Sequence, residues 1–124
     1  MDTRQAVAAL GALAQETRLS IFRMLVQAGP AGLAAGRLSE ELKVPPNTLS
    51  FHLKELSHAA LVTARPESRF VYYSADFGQM AALMTFLTEN CCKGMPGECL
   101  SVVETALGQR CGPNVRPASS RRKS

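Results

Sequence analysis

The chain has 124 residues, is 46% hydrophobic and carries a formal net charge of +4, which is apolar material for one domain's core and a balance that permits an anionic partner. No apolar run approaches the ~18 residues of a membrane span, and the polar start Asp2-Thr3-Arg4-Gln5 lacks the apolar stretch of a secretory leader. The expectation is a cytoplasmic protein, where thiols stay reduced and clustered cysteines bind metals or react more often than they form disulfides.

In chain order, Ala6 to Leu13 reads as a short apolar helix with Val7, Leu10 and Leu13 at helical spacing. Thr17 is the expected cap of a second helix, whose buried stripe is Leu19, Phe22, Leu25 and Val26 and whose end is Gly29-Pro30. A small-residue linker, "PAGLAAG", leads to "RLSEELKV", a short helix burying Leu38 and Leu42, and Pro45-Pro46 then breaks the chain. "NTLSFHLKELSHAALV" places Leu49, Leu53, Leu56 and Ala60 in one stripe. From Leu61 the period changes, and "LVTARPESRFVYYSAD" reads as two strands around the turn Pro66-Glu67-Ser68.

Asp76 caps a long helix, "FGQMAALMTFLTENCC". Its Phe77, Met80, Leu83, Met84 and Leu87 are broad enough to face both a core and a second subunit. Ser101 and Glu104 form the capping box of a last short helix, and the Arg/Ser-rich end reads as a tail. The expected division is a domain over 1–110 and a flexible basic tail over 111–124.

Two short helices joined by a turn and followed by a hairpin outline an α+β, mainly α, winged helix-turn-helix, whose second helix enters the major groove. The residues expected to be exposed there are Asn47, Thr48, Ser50, Phe51, His52 and Lys54, with Arg65 and Arg69 flanking the wing turn. Short polar groups at such positions reach base edges or phosphates, and each cation neutralises a phosphate. The pattern also suits an ordinary α+β domain in which these cations are a solvated face. His52 caps, packs or contacts DNA in preference to binding metal, since no second histidine lies near it.

"TRLSIFRML", "NTLSFHLKELSHAALV" and "SRFVYYSAD" together resemble the successive signatures of the ArsR/SmtB family of metal-responsive bacterial repressors. The family pattern is T-R-L-x-I-L-x-x-L, then T-V-S-x-H-L-x-x-L-x-x-A-G-L-V, then a G-R-x-V-x-Y wing. Arg18, Ser50, His52, Leu53, Leu56, Leu61, Val62, Arg69 and Tyr73 match it, over about Ala6 to Cys92. Ala60 and Ser68 stand where the family has glycine, and Pro46 stands where a polar residue often contacts bases. The resemblance implies a homodimer, held by its first helix and the long helix after the hairpin. That dimer sits on operator DNA and leaves when an inducer binds; no enzyme activity is implied.

Three of the four cysteines, Cys91, Cys92 and Cys99, fall within nine residues. The family's C-x-C arsenic site is absent, because the corresponding helix reads "LSEELKV". Its Asp/His zinc site along the long helix is absent too, since that stretch has Asp76 but no histidine. The trio resembles the C-terminal three-cysteine site of some arsenic-responsive members. Thiolates select soft ions, and trivalent arsenic or antimony takes three sulfurs in a pyramid where structural zinc takes four ligands. Condensation of neutral arsenious acid with three thiols also leaves no net charge at a helix C-terminus, where the dipole disfavours a thiolate.

The expected inducer is therefore arsenite, with antimonite fitting the same site. The alternatives are a thiol redox switch and a zinc or cadmium sensor that recruits Cys111. Arsenate reduction or thiol exchange would need a low-pKa cysteine beside an oxyanion-binding loop, and the sequence has no such loop.

Overall fold

The computed structural model describes residues 1–89. The chain divides into two compact units, Met1–Leu87 and Thr88–Ser124. The architecture below is that of the first, with its last helix ending at Thr88. Cys91, Cys92, Cys99, Cys111, the helix expected after Ser101 and the tail all lie outside the described residues.

Helix α1 spans Thr3–Leu13 and starts earlier than its apolar pattern, because Asp2 and Gln5 cap it reciprocally. Asp2 Oδ1 accepts from the Gln5 N–H at 2.8 Å, and Gln5 Oε1 accepts from the Asp2 N–H at 2.9 Å. Its inward face is its small one, Ala6 and Ala9, whereas Val7 and Leu10 are 62% and 43% exposed. Helix α2, Glu16–Ala28, is capped by Gln15 and not by Thr17. The Gln15 side chain accepts from the Arg18 N–H at 2.9 Å. Ile21, Phe22 and Leu25 are buried there, and Leu19, expected inside, is exposed.

The segment expected to be a linker contains strand β1, Leu33–Ala34. It pairs antiparallel with β3, Phe70–Ala75, whose other edge carries β2, Val62–Glu67, in the order β1-β3-β2. Gly32 allows that approach. Its φ is +74°, and a Cβ on it would lie 2.2 Å from the Tyr73 carbonyl oxygen. In the hairpin Pro66 pairs with Val71 and Glu67 with Phe70, so the turn is Ser68-Arg69, two residues further on than Pro66. Ser68 takes φ +57°, a left-handed value demanded by a two-residue hairpin turn and met most easily by glycine.

Helices α3, Ala35–Leu42, and α4, Pro46–His58, follow β1. Pro46 opens α4 as its first residue instead of breaking the chain, since the proton it lacks has no helical partner at that position. Leu49, Leu53 and Leu56 are buried as their spacing implies. Ala60 is not part of that stripe; it is exposed, at φ +63°. It closes a Schellman motif in which the Leu61 N–H donates to the Leu56 carbonyl at 3.0 Å and the Ala60 N–H to the Ser57 carbonyl at 2.9 Å.

Helix α5, Phe77–Thr88, is capped by Asp76, whose Oδ1 accepts from the Gln79 N–H at 2.9 Å. Leu83 is buried and Phe77 and Met80 are half-buried, while Met84 and Leu87 face outward, so the expected two-sided apolar surface is present. Ile21, Leu25, Leu38, Leu49, Leu56 and Leu61 are the largest fully buried side chains, and they tie α2, α3, α4 and the start of the wing together. Among the described residues, no helix is long and apolar enough to cross a membrane.

Two substitutions test the backbone. Ala60→Gly relieves a left-handed alanine and should raise unfolding free energy in urea by about 1 kcal/mol. Gly32→Ala forces a carbon into the β3 backbone and should lower it by more than about 2 kcal/mol.

Candidate nucleic-acid interface

The turn between α3 and α4 is built by one left-handed residue. Lys43 has φ +55°, and the next residue is held back on α3. The Val44 N–H donates to the Ser39 carbonyl at 3.1 Å, and the Ser39 hydroxyl donates to the Val44 carbonyl at 2.5 Å. Helix α4 then begins with no side-chain cap. Its first free N–H groups therefore point outward beside Asn47 and Thr48, at a helix end whose partial positive charge suits a phosphate.

Because Leu49, Leu53 and Leu56 face the core, Asn47, Thr48, Ser50, Phe51 and Lys54 are all exposed, as expected. His52 is the exception. It lies on the buried arc, 8% exposed, with Nδ1 3.4 Å from Nη1 of Arg18. The ring thus accepts from the guanidinium and packs on the inner side of α4, whereas the sequence pattern places it outside. Arg18 Nε also donates to the Ala12 carbonyl at 2.7 Å, so one side chain joins the end of α1 to the middle of α4. Burial first, and the Arg18 charge second, hold the His52 pKa below its usual value.

The two wing arginines differ. Arg65 is occupied: Nε pairs with Glu67 Oε2 at 2.5 Å, an Nη donates to the Ala31 carbonyl at 3.1 Å, and the guanidinium lies 5.4 Å from the centre of the Tyr72 ring. It braces the wing against the loop before β1 instead of reaching out as an unengaged cation. Arg69, at the tip, is exposed and makes no ion pair among the described residues. A shallow cleft lined by Ala8, Gly11, Ala12, Arg18, Glu55, His58 and Ala59 lies between α1 and α4. No group of three or more metal-ligating side chains occurs among the described residues.

A family model described as a helix-turn-helix domain matches residues 13–65. The chain is also 33% identical over 92 residues to the transcriptional activator HlyU of Vibrio cholerae serotype O1, a stretch that is 74% of this chain and 82% of that protein. It belongs to the ArsR-like family of helix-turn-helix transcriptional regulators. A solved structure of reduced HlyU from Vibrio cholerae N16961 superposes with a TM-score of 0.55 at 32% identity, covering 73% of this chain and 92% of that one. The homodimeric winged helix-turn-helix DNA-binding domain Mb0332 of Mycobacterium bovis shares the fold, with a TM-score of 0.58 at 20% identity over 91% of this chain and 89% of that one. The relatives are regulators of transcription and not enzymes.

Residues 1–89 hold eight basic and eight acidic side chains, so the whole excess of +4 resides in 90–124. The exposed cations near α4 and the wing tip are Lys43, Lys54 and Arg69. Lys43 is absent from the set expected from sequence, although a cation in the short stretch between two helices was the signal for it.

Two outcomes are expected. If DNA is held by this face, Lys54→Ala and Arg69→Ala each lower the slope of log affinity against log salt by about one, while Arg65→Ala leaves it nearly unchanged. The depressed His52 pKa makes the folded chain resist protonation, so the unfolded chain takes up the proton first as pH falls below 6.5. Stability in urea should therefore fall from pH 7.5 to pH 5.5, and fall less in His52→Gln.

Proposed function

We propose that the chain is a dimeric repressor that holds operator DNA through α4 and the wing, and that it is released when arsenite binds Cys91, Cys92 and Cys99. The single observation supporting the DNA half is the outward presentation of Asn47, Thr48, Ser50, Phe51 and Lys54 on one side of a helix whose other side is sealed by leucines. Supporting the dimer is the disposition of α1 and α5: Val7, Leu10, Met84 and Leu87 are exposed in the single chain, whereas the small Ala6 and Ala9 face inward. An apolar surface of this kind is what a two-fold partner covers.

The inducer half rests on the sequence: three thiols within nine residues match the pyramidal preference of trivalent arsenic, and antimonite has the same preference. Cys91 and Cys92 come three and four residues after Thr88, the last residue of α5, so ligation there acts close to the helix that carries the dimer surface. A two-fold dimer must place its recognition helices about one turn of duplex apart, ~34 Å. A small change of angle between subunits therefore suffices for a coupling of ~1–3 kcal/mol.

A second reading makes the same thiols a redox switch. One of the similar structures is described by its redox state, as reduced HlyU. Release by oxidant that arsenite fails to mimic would favour this reading. Gel shifts on the promoter of the chain's own gene, titrated with arsenite, antimonite, zinc, cadmium and peroxide, separate the readings. Under the proposal arsenite releases the wild-type protein, Cys99→Ser stays bound at the same concentration, and X-ray absorption finds arsenic on sulfur alone. Leu10→Glu should shift the dimer to monomer in analytical ultracentrifugation and lower operator affinity by at least about tenfold.

A further inference from the structure

The exposed side of α4 contains a large apolar side chain at its centre. Phe51 is 55% exposed, four residues after Asn47 and three before Lys54, opposite the buried Leu49, Leu53 and Leu56. The ring has an aromatic neighbour. It meets the His52 ring edge-on, with centroids 5.6 Å apart and planes at 60°, and His52 is itself buried against Arg18. A projecting aromatic at the centre of the exposed side is suited to fill an apolar spot on a partner.

The neighbours of Phe51 narrow the choice of spot. No arginine or lysine precedes Lys54 in α4, so its first two turns cannot fork onto the O6 and N7 acceptors of guanine. They offer the Pro46 ring, the Thr48 methyl, the Phe51 ring, the Asn47 amide and the Ser50 hydroxyl, all exposed, and a serine hydroxyl suits either base pair. In the major groove only thymine displays an apolar group, its C5 methyl, and an Asn amide matches the N6 and N7 edge of adenine. We propose that α4 reads an A·T-rich half-site, with Phe51 packed on thymine C5-methyl groups and Asn47 paired with an adenine edge. This deepens the DNA-binding reading and rests on it.

The full-length chain is used to select bound duplexes from a randomised pool, and each thymine of the selected half-sites is then replaced in turn by deoxyuridine, which lacks only the methyl. The selected half-sites should be A·T-rich. One or two uridine replacements per half-site should weaken wild-type binding by about fourfold each, the worth of one buried carbon, and should cost Phe51→Ala nothing further. The far-ultraviolet circular dichroism and urea midpoint of Phe51→Ala should equal those of wild type, as truncation of a side chain that is 55% exposed leaves the core intact, which shows that the variant is folded.

Selection of G·C-rich half-sites overturns the proposal. So does indifference of the wild type to uridine, or an equal loss in Phe51→Ala, which would mean that duplex shape or a protein partner explains the residue. A chain that retains duplex without a methyl effect loses only this proposal. A chain that retains no duplex of any sequence loses the DNA-binding reading as well.

Discussion

The rotation of α4 about its own axis is the constraint from which the rest of the surface follows. Leu49, Leu53 and Leu56 seal one arc against α2, α3 and the start of the wing, and His52 completes that arc. With those four inside, Asn47, Phe51 and Lys54 have no alternative but to face outward. A rotation of one residue would bury Lys54 in place of Leu53, a cost of several kcal/mol for an unpaired charge, so the face offered to a partner is as firmly set as the core itself.

Arg18 gives that arrangement a reach beyond packing. Its guanidinium touches both the last carbonyls of α1, at Ala12, and the ring of His52 halfway along α4. The helix that carries the exposed Val7 and Leu10 is thereby joined through one side chain to the helix that carries Asn47 and Lys54. A displacement of α1 cannot leave α4 untouched without breaking hydrogen bonds at a half-buried guanidinium, where they are stronger than in water.

Much of this was legible in the sequence wherever burial repeats with a helical or alternating period. The leucine spacing of α4, the two-sided face of α5 with its Asp76 cap and the existence of the hairpin all follow from local pattern. His52 was legible too: positions 49, 52, 53 and 56 fall on one helical arc, but a polar residue on that arc reads as exposed until its partner, Arg18, is placed 34 residues away. Long-range contacts hid the rest. Strand β1 is two residues long and exists because Gly32 lets the chain come up to Tyr73, and Arg65 is engaged by Ala31 across the fold. Which side of α1 turns inward was equally hidden, because alanine and valine score alike in periodicity although only the small side chains fit the close approach. The cysteine cluster was read from its chemistry and from a family resemblance, and it lies beyond the described residues.

The even balance of acids and bases in residues 1–89 has a kinetic consequence. A body without net charge feels little long-range pull toward a polyelectrolyte and dwells only briefly on arbitrary stretches of it. In the proposed operator complex, discrimination then depends on short-range fit at the helix surface, with little help from long-range attraction by residues 1–89.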